Sequence, residues 1–386
     1  MSRVLVAMSG GVDSSACAAK LIDEGYECVG VTMRMLCTSK TDSDIQDAKD
    51  VCDKLGIEHV VIDTVDDFDE HVISKFVEGY ELGTTPNPCI LCNRELKFGK
   101  LWRVAQELNC DYLATGHYAR IEIDDKGQAH ALMGVNELKD QSYVLWVVPQ
   151  DTLKHVLLPL GDIESKDEVR RIAREHGLEL AEKGDSQDIC FVEDGKYPEF
   201  MRGYTGKDPV PGPIIDEFGQ EIGIHRGLTS YTLGQRKGVG VSAKRKIYVL
   251  DKIPEDNTLV VGDNAFLYSS EFYAHSANWV SGIIPDGPQR MQIVSHYHGY
   301  LFDATVTPMD NNRVKVVTDK QVRAVSPGQS VVGYLGNEVI FGGIIEKPKT
   351  PISAKLDEIE DEIKNQVAET SLDLQARIVK ENQNKD

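Results

Sequence analysis

The strongest constraint on the fold lies at the N-terminus. An apolar run over residues 3–8 breaks on Ser9-Gly10-Gly11-Val12-Asp13-Ser14-Ser15, and residues 14–24 then follow with helical spacing and one apolar face. A buried strand that passes through a glycine turn straight into a helix is the opening unit of a layered α/β fold. The pattern repeats. Residues 28–33 read as a second strand, and residues 45–55 carry Ile45, Ala48, Val51, Cys52 and Leu55 at helical spacing. Residues 59–63 and 112–115 read as further strands. This alternation predicts a doubly wound parallel sheet.

The character changes near Tyr197. Residues 203–240 are rich in Gly and Pro, with short strand-like runs. From about Phe266 the pattern is all-β, over 291–297, 302–307, 313–317, 330–335 and 338–345. Asp310-Asn311-Asn312 and Gly336-Asn337 supply turns between these runs. A small mixed central domain followed by a C-terminal antiparallel β-barrel is the expected arrangement. Beyond Lys349, residues 357–380 are charged, with Leu356, Ile359, Ile363 and Val367 at helical spacing, which predicts an acidic amphipathic tail. A chain of 386 residues exceeds one ordinary core. The expected division is 1–198, 199–265, 266–349 and 350–386.

The formal charge of −20 argues against a broad electrostatic grip on nucleic acid, since phosphate affinity comes largely from Lys and Arg. Any such contact must use local cations, for which Lys139, Arg236-Lys237 and Lys244-Arg245-Lys246 are the candidates. No run of about eighteen apolar residues is present, and the N-terminus lacks the pattern of a secretory signal, so a cytoplasmic protein without membrane spans is expected. The eight cysteines all lie in the first half of the chain. A disulfide framework would be spread more evenly. Cys17, Cys28, Cys52 and Cys110 fall on apolar faces and are expected in the core, and Cys37 has no assigned place.

Two segments carry chemistry. In the first loop, glycines let backbone approach a phosphate closely, and free N–H groups at the helix start point at the anion. The Ser9, Ser14 and Ser15 hydroxyls are expected to add donors. Asp13 would repel phosphate unless Mg²⁺ lay between them. No Gly-Lys-Ser/Thr follows, so the loop is not a Walker loop, and GxGxxG is also absent. In the second segment, Thr85-Pro86-Asn87-Pro88-Cys89-Ile90-Leu91-Cys92-Asn93-Arg94, two prolines fix an extended approach to a Cys-x-x-Cys pair. Cys190, in Gly184-Asp185-Ser186-Gln187-Asp188-Ile189-Cys190-Phe191, is the third candidate. Zinc would want four ligands, and three such cysteines are present.

SGGVDSS resembles the PP-loop of ATP pyrophosphatases, which adenylate an oxygen and release pyrophosphate. That resemblance places ATP phosphates on Ala7, Met8, Ser9, Gly10, Gly11, Val12, Asp13 and Ser14, with Met33 at the adenine and Gly116 lining the same crevice. From residue 3 to about 348 the chain resembles the tRNA-uridine 2-sulfurtransferase family. The motifs that carry this are SGGVDSS, TPNPCILCNRELKF, ATGHYAR, KDQSYVLW, GDSQDICF, LTSYTLGQRKG and SPGQSVV. The resemblance implies ATP-dependent 2-thiolation of a wobble uridine in tRNA. Cys92 would be the nucleophile, and Cys190 the carrier of persulfide sulfur from a donor protein. Asn87, Pro88 and Cys89 would face the target base. Lys139, Asp140, Gln141, His296 and Tyr297, and less directly His117 and Gln329, would contact tRNA.

In one place the chain departs from the family. Cys89 stands where many members have Asp, and three thiolates suit a [4Fe–4S] cluster with one open iron as an alternative sulfur carrier. In the persulfide scheme, low-pKa thiolates and a transient Cys92–Cys190 disulfide are expected. Two rival readings are a PP-loop ligase acting on a small metabolite and a nonenzymatic RNA-binding metal protein. The first leaves NPCILCN and Cys190 without a purpose, and the second leaves SGGVDSS without one.

Overall fold

The computed structural model describes residues 1–178, 189–192, 196–241 and 245–347. Strands β1 (Arg3–Ala7), β2 (Glu27–Arg34), β3 (Glu58–Asp63) and β4 (Tyr112–Ala114) form a sheet with a short later strand, Val156–Leu157. The order is β3-β2-β1-β4 and then Val156–Leu157, with every pairing parallel. Alternate side chains of β1 leave on opposite faces. Val4 and Val6 pack with Ala16, Cys17 and Ala173 from flanking helices, and Leu5 packs with Leu101, Ala105 and Val144 on the other face. Both faces of the sheet are therefore covered, as a doubly wound fold requires. Cys17, Cys28, Cys52 and Cys110 are buried, in agreement with the sequence reading.

Between β4 and the last strand of that sheet, the chain forms a hairpin that sequence reading missed: β5 (Ala119–Ile123) and β6 (Ala129–Met133). With β7 (Val156–Leu157) completing the first sheet, a four-stranded central sheet follows. Its strands are β8 (Gly212–Ile215), β9 (Glu221–His225), β10 (Tyr248–Ile253) and β11 (Thr258–Gly262), in the order β10-β11-β8-β9. The helix Tyr197–Thr205 precedes it and packs Met201 and Phe200 against the first domain, beside Phe76 and Phe191.

The C-terminal strands are β12 (Tyr268–Trp279), β13 (Gln289–Val294), β14 (Phe302–Met309), β15 (Arg313–Arg323), β16 (Ser330–Leu335) and β17 (Glu338–Ile345). They run β12-β15-β14-β13-β16-β17, and β17 pairs back to β12, so the barrel closes with all pairs antiparallel. Its interior is filled by Phe272, Ile293, Val306, Val316 and Phe341, among others.

The barrel is docked tightly on the first domain. Leu132 of β6 pairs with Glu338, so the hairpin extends the barrel sheet. The turn Ser142–Val147 is buried between the two bodies. Trp146 lies so close to Gly342 that a Cβ there would sit 2.2 Å from its ring, and the Tyr143 hydroxyl donates to Ser330 O at 2.9 Å. No described helix is long and apolar enough to cross a membrane. The expected acidic tail, the Gly184–Asp188 part of the Cys190 motif and Lys244 lie outside the described residues.

Candidate active site

The nucleotide loop sits where sequence placed it, between β1 and the helix Val12–Asp23. Gly10 adopts φ +69°, and a Cβ there would meet Asp44 O at 2.4 Å, so only glycine fits the turn. Gly11 caps the helix with no side-chain hydrogen bond, which leaves backbone N–H groups facing outward for an anion. Gly116 faces this loop: a Cβ would lie 3.1 Å from Asp13 C and 3.2 Å from Ser14 N. The two residues that resemblance brings to one crevice are therefore adjacent.

The loop's side chains have partners that the sequence did not announce. The Ser14 and Ser15 hydroxyls donate to Gly11 O at 3.0 and 2.9 Å, and Ser9 N donates to Ser14 Oγ at 3.1 Å. These short side chains brace the turn from within. Asp13 also faces inward. Its carboxylate accepts from the Tyr118 hydroxyl at 2.6 Å and from Lys166 Nζ at 2.7 and 2.8 Å. Tyr118 and Lys166 thus hold the Asp13 carboxylate against the loop. Lys166, 153 positions from Asp13 in sequence, was not singled out by any motif.

The cysteine turn is built by its prolines and asparagines. Asn87 Oδ1 accepts from Cys89 N at 3.0 Å, and Pro88 opens the short helix Pro88–Leu91. Cys92 then begins a π-helical stretch, Cys92–Lys100. Such wide turns recur at functional sites because they aim side chains that an α-helix would not. Asn93 Nδ2 donates to Cys89 O at 2.8 Å, which ties the two ends of the turn, while its buried Oδ1 has no partner. Cys89 and Cys190 are exposed and Cys92 is buried.

Cys190 is held through its neighbour. The Phe191 ring packs on Phe68, Phe76 and Phe200 at centroid separations of 5.6, 5.3 and 5.2 Å, in the apolar cluster that also contains Cys92. The three thiols influence one another electrostatically. Burial pushes Cys92 up to about 12, and partial desolvation of the two thiols also raises Cys89 and Cys190, although the residues are exposed overall. Lys97 pulls all three down, without overcoming burial. The expected low-pKa thiolates are therefore not present in this state, because desolvation outweighs one cation. No three His, Cys, Asp or Glu side chains among the described residues are gathered so as to hold a metal ion, and this includes Cys89, Cys92 and Cys190.

Met33 joins the two segments. It ends β2, lines the first-domain core and packs against the cluster containing Cys92. His117 is buried, its Nδ1 lies 2.6 Å from Thr115 Oγ1, and burial keeps its ring neutral. Asp140 accepts from Gly134 N, Ser142 N and the Ser142 hydroxyl, and Gln141 Oε1 accepts from Tyr118 N at 3.0 Å. These side chains shape the loop that carries the half-buried Lys139. Tyr297 of the barrel packs on Tyr143 at 5.7 Å and hydrogen-bonds Gln141. His296 beside it is exposed, and Gln329 Nε2 donates to Thr85 O at 2.7 Å. The barrel loop, the Lys139–Gln141 loop and the cysteine turn thus border one another.

A family model described as a tRNA methyl transferase HUP domain matches residues 2–194. Models described as a tRNA methyl transferase PRC-barrel domain and an aminomethyltransferase beta-barrel domain match residues 198–263 and 269–345. The tRNA-specific 2-thiouridylase MnmA of Acetivibrio thermocellus is 42% identical over 356 residues, covering 89% of this chain and 99% of its own. The protein of the same name from Clostridioides difficile is 41% identical over 357 residues, covering 89% and 98%. That of Nostoc punctiforme is 41% identical over 355 residues, covering 90% and 99%. Among solved structures, the U34-tRNA thiolase NcsA from Methanococcus maripaludis with its [4Fe-4S] cluster is 20% identical. It covers 52% of this chain and 63% of its own at a TM-score of 0.33, too distant to bear on the chemistry. With nearly the whole length of these curated relatives matched, from the nucleotide loop to the last barrel strand, the chain belongs to the tRNA-specific 2-thiouridylase (MnmA) family.

Proposed function

We propose that this protein uses ATP to replace O2 of the wobble uridine of tRNA with sulfur, through an adenylated uridine and a cysteine persulfide. The observation that carries the reading is Met33. It packs against the first-domain core, as Ala7 at the start of the loop does, and against the cluster holding Cys92, so the loop and the cysteine turn adjoin one core. Residues 1–198 act as the catalytic unit, and 199–265 and 266–349 as the RNA-facing units.

ATP enters as its Mg²⁺ complex, with its phosphates against the backbone N–H groups of the Ala7–Ser14 loop, Met33 at the adenine and Gly116 closing the crevice. Uracil O2 attacks the α-phosphorus and pyrophosphate leaves. This converts an oxide, which could not depart, into the oxygen of AMP. Asn87, Pro88 and Cys89 face the base, while Lys139, Asp140, Gln141, His296 and Tyr297 form the surrounding RNA seat, with His117 behind it.

A sulfur-donor protein leaves a persulfide on Cys190. The Cys92 thiolate attacks the Cys190 sulfur, the S–S bond of the persulfide breaks, and hydrosulfide is released as a Cys92–Cys190 disulfide forms. Hydrosulfide adds to C2, AMP departs carrying O2, and the S–H proton is lost to water. A dithiol then reduces the disulfide. Lys97, the cation common to all three thiols, favours the thiolate form when the turn is wetted by RNA entry. No step in this scheme requires iron.

The test is ATP–pyrophosphate exchange with and without tRNA. Exchange that needs tRNA and survives Cys92→Ala supports separate activation and transfer. Exchange driven by a small metabolite alone would point to an ordinary PP-loop ligase.

A further inference from the structure

The segment Thr84–Pro86, just ahead of the cysteine turn, is gripped from three sides. Below it, Thr84 N and Oγ1 both donate to Gly79 O, at 2.9 and 2.8 Å, and a Cβ on Gly79 would lie 2.8 Å from Pro86 Cγ. From the barrel, Thr85 N donates to Pro327 O at 2.8 Å and Gln329 Nε2 donates to Thr85 O at 2.7 Å. Gly328, at φ +87°, lies so close that a Cβ would be 3.1 Å from Pro86 N and Thr84 Cβ. From the central sheet, Lys252 of β10 donates its Nζ to Thr84 O at 3.3 Å and lies 5.4 Å from the centre of the Tyr80 ring.

Lys252 is 3% exposed, an unusual place for an ammonium. Its neighbour Asp251 is turned to Lys347, which bonds both Asp251 Oδ1 at 3.3 Å and Lys252 O at 2.8 Å. The ammonium thus bonds one neutral carbonyl and faces one ring, with the Asp251 carboxylate acting on it from alongside. A methionine would fill the same space without the desolvation, so what the ammonium adds is its bond to Thr84 O.

We infer that the Thr84–Pro86 strap couples the barrel and the central domain to the cysteine turn, with Lys252 as a positioning residue that holds the strap and, through it, Cys92. The inference rests on the proposed thiolation. RNA seated on the barrel touches a body whose Pro327–Gln329 turn bonds the strap directly. Directly after Pro86 the chain enters the Asn87-capped turn that carries both Cys89 and Cys92. The strap therefore lets RNA seating set the geometry of sulfur transfer, while the nucleotide loop, built on β1, is untouched.

Lys252→Met and Gly328→Ala perturb the strap from opposite sides, so a failure of one to fold leaves the other. In each, tRNA affinity should stay within about twofold, whereas AMP released per thiouridine should rise about tenfold, as expected for a reacting group displaced by roughly an ångström. Without tRNA or ATP, iodoacetamide should label Cys92, followed by peptide mass spectrometry, several-fold faster than in the wild type. Unchanged labelling and an unchanged AMP-to-thiouridine ratio in the folded variants would overturn the inference. So would a loss of tRNA affinity in step with activity. A wild-type protein that forms no AMP with tRNA would instead sink the functional reading, and the labelling comparison would still stand.

Discussion

Replacing Lys252 with Met should stabilise the fold at neutral pH, and the size of the effect follows from burial. The ammonium ionises at 10.5 when free, and burial lowers this to about 8, with Asp251 opposing the shift and Lys347 adding to it. At 1.36 kcal/mol per pH unit, the difference is roughly 3 kcal/mol of destabilisation from carrying the charge inside. The folded value lies below the unfolded one. Above the unfolded value both states are neutral and the penalty vanishes. As pH falls the unfolded chain takes up the proton first, and the penalty is complete below about 8. Loss of the hydrogen bond to Thr84 O removes about 1 kcal/mol, so Lys252→Met should gain roughly 2 kcal/mol at neutral pH. Urea unfolding of both proteins near pH 7 and again near pH 9.5 measures this, since other titrating groups cancel between them. The gap should narrow by about 2 kcal/mol at the higher pH. A gap that does not change with pH, or a variant that is less stable at neutral pH, would refute the account of Lys252 as a desolvated cation.

Asp13→Ala should abolish tRNA-dependent pyrophosphate exchange while leaving tRNA binding within about twofold, because it frees Lys166 and the Tyr118 hydroxyl to distort the nucleotide loop but leaves Lys139, His296 and Tyr297 in place; normal exchange would remove Asp13 from the nucleotide site. Cys89→Asp, which restores the residue of many relatives, should keep thiolation with a persulfide donor and bind no iron, as read by iron and sulfide analysis after anaerobic purification. Loss of activity together with loss of brown absorption would favour the cluster instead. Arg236 and Lys237 are exposed, and replacing both with Ala should weaken tRNA binding and flatten its salt dependence; an unchanged slope would place them off the interface.

The parallel sheet and the later barrel strands were legible because their apolar periods are regular. Ser330–Leu335 and Glu338–Ile345 match the sequence reading residue for residue. Strand β12 was missed because its register shifts twice, between Ser269 and Glu271 and between His275 and Asn278, which erases the alternation a strand should show. The hairpin β5–β6 was missed because its reason lies far away. His130 is joined to Glu338 across 208 positions, and nothing local in ARIEI or AHALM announces a barrel neighbour. The site divides in the same way. Glycines, prolines and cysteines that shape their own turns could be read directly. Lys166 on Asp13 and Lys252 on Thr84 could not, since each is a single lysine whose meaning comes from a partner 153 or 168 positions off. The thiols were misjudged because their ionisation is set by burial, which a CxxC spacing does not encode.

The most direct test is a reaction of purified protein, ATP, unmodified tRNA and a persulfide donor, with nucleoside mass spectrometry of the tRNA and AMP measured in parallel. The account predicts 2-thiouridine at the wobble position, AMP and thiouridine in equal amounts, and no thiouridine when Cys92 is replaced by Ala. AMP formation without tRNA, or thiouridine formed at the wild-type rate by Cys92→Ala, would contradict it.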